Sequence, residues 1–144
     1  MALTQGLTTT FKQNCLSALE NFAVGTPYTY KVALYSSTAN LSNYTTAYTV
    51  DGEITGTGYT AGGKTLTVIP PMANTTSNTV YVSFADVTWN PASFTCGGAL
   101  IYNSTTNAAV AVLDFGGPKV QSAAGTFTIT FPTATSTTAI LSIS

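Results

Sequence analysis

Tyr28-Thr29-Tyr30-Lys31-Val32-Ala33-Leu34-Tyr35 decides the fold class of this chain. Tyr28, Tyr30, Val32 and Leu34 alternate with Thr29, Lys31, Ala33 and Tyr35, a period of two that predicts a strand buried on one face. Similar runs recur at Lys64–Ile69, Thr79–Phe84, Phe94–Tyr102, Ala109–Phe115, Thr126–Phe131 and Ala139–Ile143, with a weaker one at Thr45–Val50. Between them lie stretches rich in Ser, Asn, Thr, Gly or Pro: Ser36–Asn43, Asp51–Gly63, Pro70–Asn78, Asn103–Asn107, Gly116–Gly125 and Pro132–Thr137. Seven or eight short strands without intervening helices predict an all-β, antiparallel sandwich rather than a parallel βαβ sheet. A jelly-roll-like arrangement of about eight strands fits the count, with an immunoglobulin-like sandwich as its rival.

Upstream of the strands the period is helical. Phe11, Cys15, Leu19 and Phe22 form one stripe, so a helix is expected from Thr9 to Val24. Thr10 and Gln13 fit a capping box, and Gly25 with Pro27 supplies a stop. The segment Met1–Gly6 reads as a loose arm, with contact to a neighbour as the alternative. The chain is therefore expected to be a single domain: residues 1–25 an arm and helix packed on the sandwich, residues 26–144 the sandwich itself.

Composition narrows the chemistry. The chain has no His and no Arg, and only 6% of its 144 residues are charged, against roughly 25% in an ordinary domain. Thr makes up about one residue in five, which suits pleated, half-buried surfaces. With few general acids, bases or anion clamps, no catalytic residues and no cofactor are expected. Four scattered lysines (Lys12, Lys31, Lys64, Lys119) and a net charge of −1 form no patch for nucleic acid. No apolar run approaches the ~20 residues that cross a bilayer, so no membrane partner is expected. Cys15 and Cys96 match no metal spacing and read as two buried thiols in a protein made in the cytoplasm. Asn40, Asn43, Asn74 and Asn103 each head an N-x-Ser/Thr triplet, which such abundant Ser and Thr generates by chance.

Two nucleotide motifs match as text. Gly58-Tyr-Thr-Ala-Gly-Gly-Lys64-Thr65 satisfies the Walker A pattern, and Val110-Ala-Val-Leu-Asp114 resembles a Walker B strand. A P-loop needs a helix to start at the Lys-Thr pair, aiming free N–H groups at phosphates. Here β-branched residues lead into Pro70-Pro71, so the expectation is a glycine-rich loop feeding a strand, with Gly62-Gly63 at positive φ and no nucleotide bound. Gly56–Ala61 matches a looser dinucleotide fingerprint, but no helix opens and no acidic residue follows at the needed distance. Asp51 and Glu53 are spaced to share a strand face and bind calcium, but a solvated pair is the expected arrangement. Asp86 and Asp114 stand alone, no Ser-His-Asp or Cys-His set can exist without His, and nothing points to a Ser–Lys dyad.

Several blocks resemble small virion structural proteins of tailed bacteriophages: Met1-Ala-Leu-Thr-Gln-Gly6 with Phe11-Lys12, Lys31–Ser37, Gly56–Gly63, Gly98–Asn103 and Ala109–Gly116. The Gly56–Gly63 block together with Gly98–Asn103 is the specific part. The resemblance implies a non-enzymatic capsid decoration, or cement, protein of jelly-roll type. Its partners would be the major capsid protein and two further copies in a homotrimer, and its location the outer capsid surface of the virion. It carries over no interface residues. The alternatives are a tail, baseplate or fibre-associated binding module, and a sugar-binding domain stacking glycans on Tyr44, Tyr48 and Tyr59, for which core packing is the plainer role.

Overall fold

The computed structural model describes residues 3–144 and is an all-β sandwich with one helix. Its elements are β1 (Gly6–Leu7), α1 (Thr9–Leu16), β2 (Tyr30–Tyr35), β3 (Lys64–Thr65), β4 (Val68–Asn74), β5 (Thr79–Phe84), β6 (Val87–Asn103), β7 (Ala108–Ile129) and β8 (Leu141–Ile143). All pairings are antiparallel and form two sheets, β1-β7-β6-β2-β3 and β4-β5-β8. The eight strands and single helix agree with the architecture expected from the sequence.

β2 is the strand on which the sequence argument rested, and it lies inside the larger sheet. Tyr30 pairs with Asn103 and Tyr35 with Gly98, and both faces are covered. Val32, Leu34, Trp89, Phe94, Ile101 and Val110 belong to the main core, where Phe84 of the smaller sheet meets Phe131. A second cluster on the opposite face gathers Ala33, Tyr35, Leu41, Leu100 and Val112 under the Ser36–Tyr48 loop. That second layer makes β2 nearly continuous in apolar side chains, which is why its burial does not alternate.

Several boundaries differ from expectation. The helix stops at Leu16 instead of Val24. Ala18 adopts φ +57°, its N–H reaches the Cys15 carbonyl, and the Leu19 N–H reaches the Asn14 carbonyl, the paired bonds of a Schellman stop. The expected stripe breaks there: Leu19 is 51% exposed, while Phe22 leaves the helix to stack on Tyr30 at 4.4 Å. The cap is Thr8, not Thr10. Its Oγ1 accepts from the Phe11 N–H and donates to the Ala109 carbonyl, which fixes the helix to β7.

The N-terminal arm is not loose over the described residues, Met1 and Ala2 lying outside them. Leu3 is buried, the Thr4 N–H donates to the Leu41 carbonyl, and Gly6–Leu7 pairs with Ala111–Val112. The expected strand Lys64–Ile69 is two strands in different sheets. Leu66, held by Tyr30 through its N–H, marks the crossing. Pro70 and Pro71 sit inside β4 at a register shift on the sheet edge, two settings that each tolerate a missing donor. Gly116–Gly125 belongs to β7, and Thr45–Val50 forms only an isolated bridge, Ala47 to Ala108.

Gly63 is where the Gly56–Gly63 loop is pressed onto β2. It has φ +71°, and a Cβ there would lie 1.8 Å from the Val32 carbonyl oxygen, whereas at Gly25, φ +80°, nothing lies within 4 Å. Gly63→Ala is expected to cost about 3 kcal/mol or more, because backbone must move, and Gly25→Ala about 1 kcal/mol from the dihedral alone. Urea denaturation midpoints of the two variants test this, and equal losses would contradict it.

Candidate functional site

Glu53 organises the loop that sequence reading singled out. Its Oε2 accepts from the Tyr48 hydroxyl at 2.6 Å, and its Oε1 accepts from the Tyr59 hydroxyl at 2.6 Å and the Gly62 N–H at 2.7 Å. The Tyr102 hydroxyl donates to the Gly62 carbonyl, and the Tyr59 oxygen accepts from the Leu34 N–H. Tyr48 stacks on Tyr102 at 4.7 Å, and Tyr35 donates to the Thr49 carbonyl at 2.5 Å. The result is a carboxylate ringed by phenols between β2 and the Gly56–Gly63 loop.

The expectation of a solvated Asp51–Glu53 pair is thus corrected for Glu53. The turn Asp51–Gly52 precedes an isolated bridge between Glu53 and Tyr35, so Glu53 points into the tyrosines while Asp51 stays exposed. Tyr59 is likewise not an open stacking platform, since its ring packs near Trp89 and Phe94. Tyr44, at 78% exposure, is.

Glu20 repeats the device. Its Oε2 accepts from the Tyr30 hydroxyl at 2.7 Å and from Asn103 Nδ2 at 3.0 Å, and its Oε1 from Asn14 Nδ2 at 3.3 Å. Asn103 is fully buried, and its side-chain nitrogen is taken up by Glu20. In both networks neutral donors satisfy a carboxylate without any cation, leaving it an acceptor occupied by structure rather than a free base.

The other candidate residues are scattered. The Walker A stretch is a loop feeding β3, with Gly62 and Gly63 at positive φ as expected and no helix after Lys64. The Lys64 ammonium donates to the Thr88 carbonyl at 2.6 Å and lies 5.7 Å from the centre of the Trp89 ring. Asp86 accepts from the Phe131 N–H, and Asp114 from the Gly116 N–H. Both cysteines are free. Cys96 is buried, with its thiol pushed up to about 11 mainly by desolvation, whereas Cys15 is only half-buried, contrary to expectation. Among the described residues no three His, Cys, Asp or Glu side chains gather to hold a metal, and no helix is long and apolar enough to cross a membrane.

The Glu–Tyr networks escaped the sequence reading because no period or motif marks them: Tyr48, Glu53 and Tyr59 are near in sequence but meet through an irregular loop, and Asn103 reaches Glu20 through β2–β6 pairing. The one available signal was arithmetic. Two glutamates in a chain without Arg and with few lysines need neutral donors, and eight tyrosines supply them.

Comparison with protein-family descriptions, with curated proteins and with solved structures returns no match in any of the three.

The networks carry a pH dependence. Desolvation first, and then the neighbouring carboxylate, hold the Tyr30 and Tyr35 phenols well above their ordinary value of 10.0. Their stabilisation is complete below that value. Above it the unfolded chain releases protons that the folded chain retains, so stability falls with rising pH by about 1.4 kcal/mol per pH unit for each group. Melting temperature followed together with tyrosinate absorbance from pH 9 upward is expected to show cooperative base unfolding, delayed in Tyr30→Phe. Gradual ionisation without unfolding would contradict this. Glu53→Gln, which turns one acceptor oxygen into a donor facing donors, is expected to cost about 2–3 kcal/mol in the same assay at neutral pH.

Proposed function

We propose that the protein is a non-enzymatic structural component of a tailed-bacteriophage particle, a capsid decoration protein that binds the assembled shell of major capsid protein as a trimer and stabilises it. One observation carries this reading: the surface is almost free of charge yet displays large apolar side chains, with Leu16 92%, Val24 80%, Tyr44 78% and Val120 71% exposed. Such a surface associates without desolvating ions, and many copies on a symmetric lattice gain avidity. Binding only the assembled shell stabilises it by mass action.

The blocks that resemble virion proteins support the same reading by their placement. Lys31–Tyr35, Gly98–Asn103 and Ala109–Asp114 are adjacent strands of the larger sheet, and Gly56–Gly63 lies against its face. The resemblance therefore covers one continuous body of structure rather than isolated words.

Co-sedimentation with shells lacking the protein, with light scattering on the free chain, tests the proposal. The expected results are saturable binding, a trimeric mass and a higher shell melting temperature. Leu16→Asp, Tyr44→Ala and Val120→Asp, all at exposed positions, are expected to leave folding within about 0.5 kcal/mol. At least one should lower shell binding tenfold. Absence of shell binding, or indifference to all three substitutions, would overturn the reading, and a few labelled copies at one vertex would move it to the tail.

A further inference from the structure

The larger sheet ends on an unfinished edge. β7 is 22 residues long, but its outer neighbour β1 covers only Ala111 and Val112, and Asp114 is met by the Gln5 side chain. From Phe115 to Ile129 the backbone of β7 bonds to β6 on one side, and no main-chain partner stands on the other among the described residues. An open row of N–H and C=O groups is a template for another strand.

Two interruptions shape that row. Opposite Cys96–Gly98 the ladder skips from Lys119 to Asp114, with Gly116 and Gly117 at positive φ; opposite Ala92–Phe94 it skips from Gly125 to Gln121, with Ala123 and Ala124 at positive φ. A third shift, between Trp89 and Ala92, puts its extra residue on β6, so Gly125–Ile129 is the portion of β7 without an inserted residue, room for a strand of about five residues. Beside it runs a groove of about 590 Å³ whose walls include Phe115, Pro118, Lys119, Val120, Phe127 and Ile129. Its charge is one-sided: Lys119 lines it and no carboxylate does.

We infer that this edge and groove accept an extended segment of another protein, with apolar side chains at alternate positions and one carboxylate opposite Lys119. Main-chain bonds to Gly125–Ile129 supply the affinity, and the groove reads one face of the segment, Phe127 and Ile129 taking its apolar side chains and Lys119 its acid. A second copy of this chain fits poorly. The bulges break the ladder on both edges, and Lys119–Ile129 brings a second lysine and no acidic residue. The inference holds whether or not the chain belongs to a particle, because it concerns the isolated protein.

The probe is the capped hexapeptide VTDTVT, whose valines and aspartate share one face of an extended strand, titrated into isotopically labelled full-length protein. The expected result is amide shift changes confined to Phe115–Thr130 with sub-millimolar affinity, and exchange of edge amides within Gly125–Ile129 slowed at least tenfold at saturation. N-methylation of alternate peptide amides should abolish binding, because it removes ladder donors but keeps every side chain. The peptide VTKTVT should bind about fivefold more weakly, and Lys119→Glu, a change at an exposed side chain, should reverse that preference. No shift at millimolar peptide, equal binding of the N-methylated peptide, or a concentration-dependent dimer that protects the same amides would each overturn the inference.

Discussion

The pairing of β6 with β7 is the interaction on which the other elements hang. These strands, 17 and 22 residues long, are far longer than usual and stay paired from Val87–Ile129 to Asn103–Ala108 through four shifts of register. β2 joins through β6, β1 and α1 join through β7, and the smaller sheet covers the face that carries Trp89, Phe94 and Phe127. A ribbon of that length cannot stay flat, because right-handed twist accumulates along it. The bulges in β7 absorb the curvature, and the dihedral cost of Ala123 and Ala124 is the local strain of keeping two sheets closed on one core.

Scarcity of charge sets the second constraint. A half-buried carboxylate usually finds Arg or Lys, and this chain has no Arg and uses Lys64 on a carbonyl and an indole face. Glu20 and Glu53 instead collect hydroxyl, amide and main-chain donors. Each network ties an irregular segment to the sheet: Glu20 the stretch after α1, Glu53 the loop before β3. Phenol donors bring apolar area with them: Tyr30 and Tyr59 also pack in the main core, and Tyr48 packs on the second cluster beside Tyr35 and Tyr102. Few ions are needed because few are buried, and none of the two is left unsatisfied.

The periodic part of the fold was legible in the sequence. Runs such as Thr79–Phe84 and Tyr30–Leu34 are strands because β-branched and aromatic residues concentrate there, although neither shows the expected burial on one face only. The departures all come from distant partners. The helix ends at Leu16 because Glu20 and Phe22 are drawn to Tyr30 and Asn103, and no periodicity within residues 9–24 encodes that pull. Gly116–Gly125 read as a turn because glycine and proline punctuate chains, yet β6 offers enough ladder to carry them as bulges. At the Walker-like stretch, β-branching and the double proline overruled the text match, since helix formation is a physical requirement of a phosphate cradle and a motif is only its spelling.

Edge protection separates the ways this molecule can associate. β1 and β3 expose two residues each, β8 three, and β4 carries Pro70 and Pro71 on its rim. These are the devices by which sheets avoid joining one another without control. The remaining long edge, on β7, is interrupted twice and flanked by Pro118 and Lys119, which rules out open-ended stacking but leaves one short straight portion. Elsewhere the surface displays apolar side chains such as Leu16, Val24 and Tyr44, which salt does not screen as it screens charges. The same charge-poor surface that would aggregate if its edges were flat is thereby kept from edge-to-edge pairing along most of its rim.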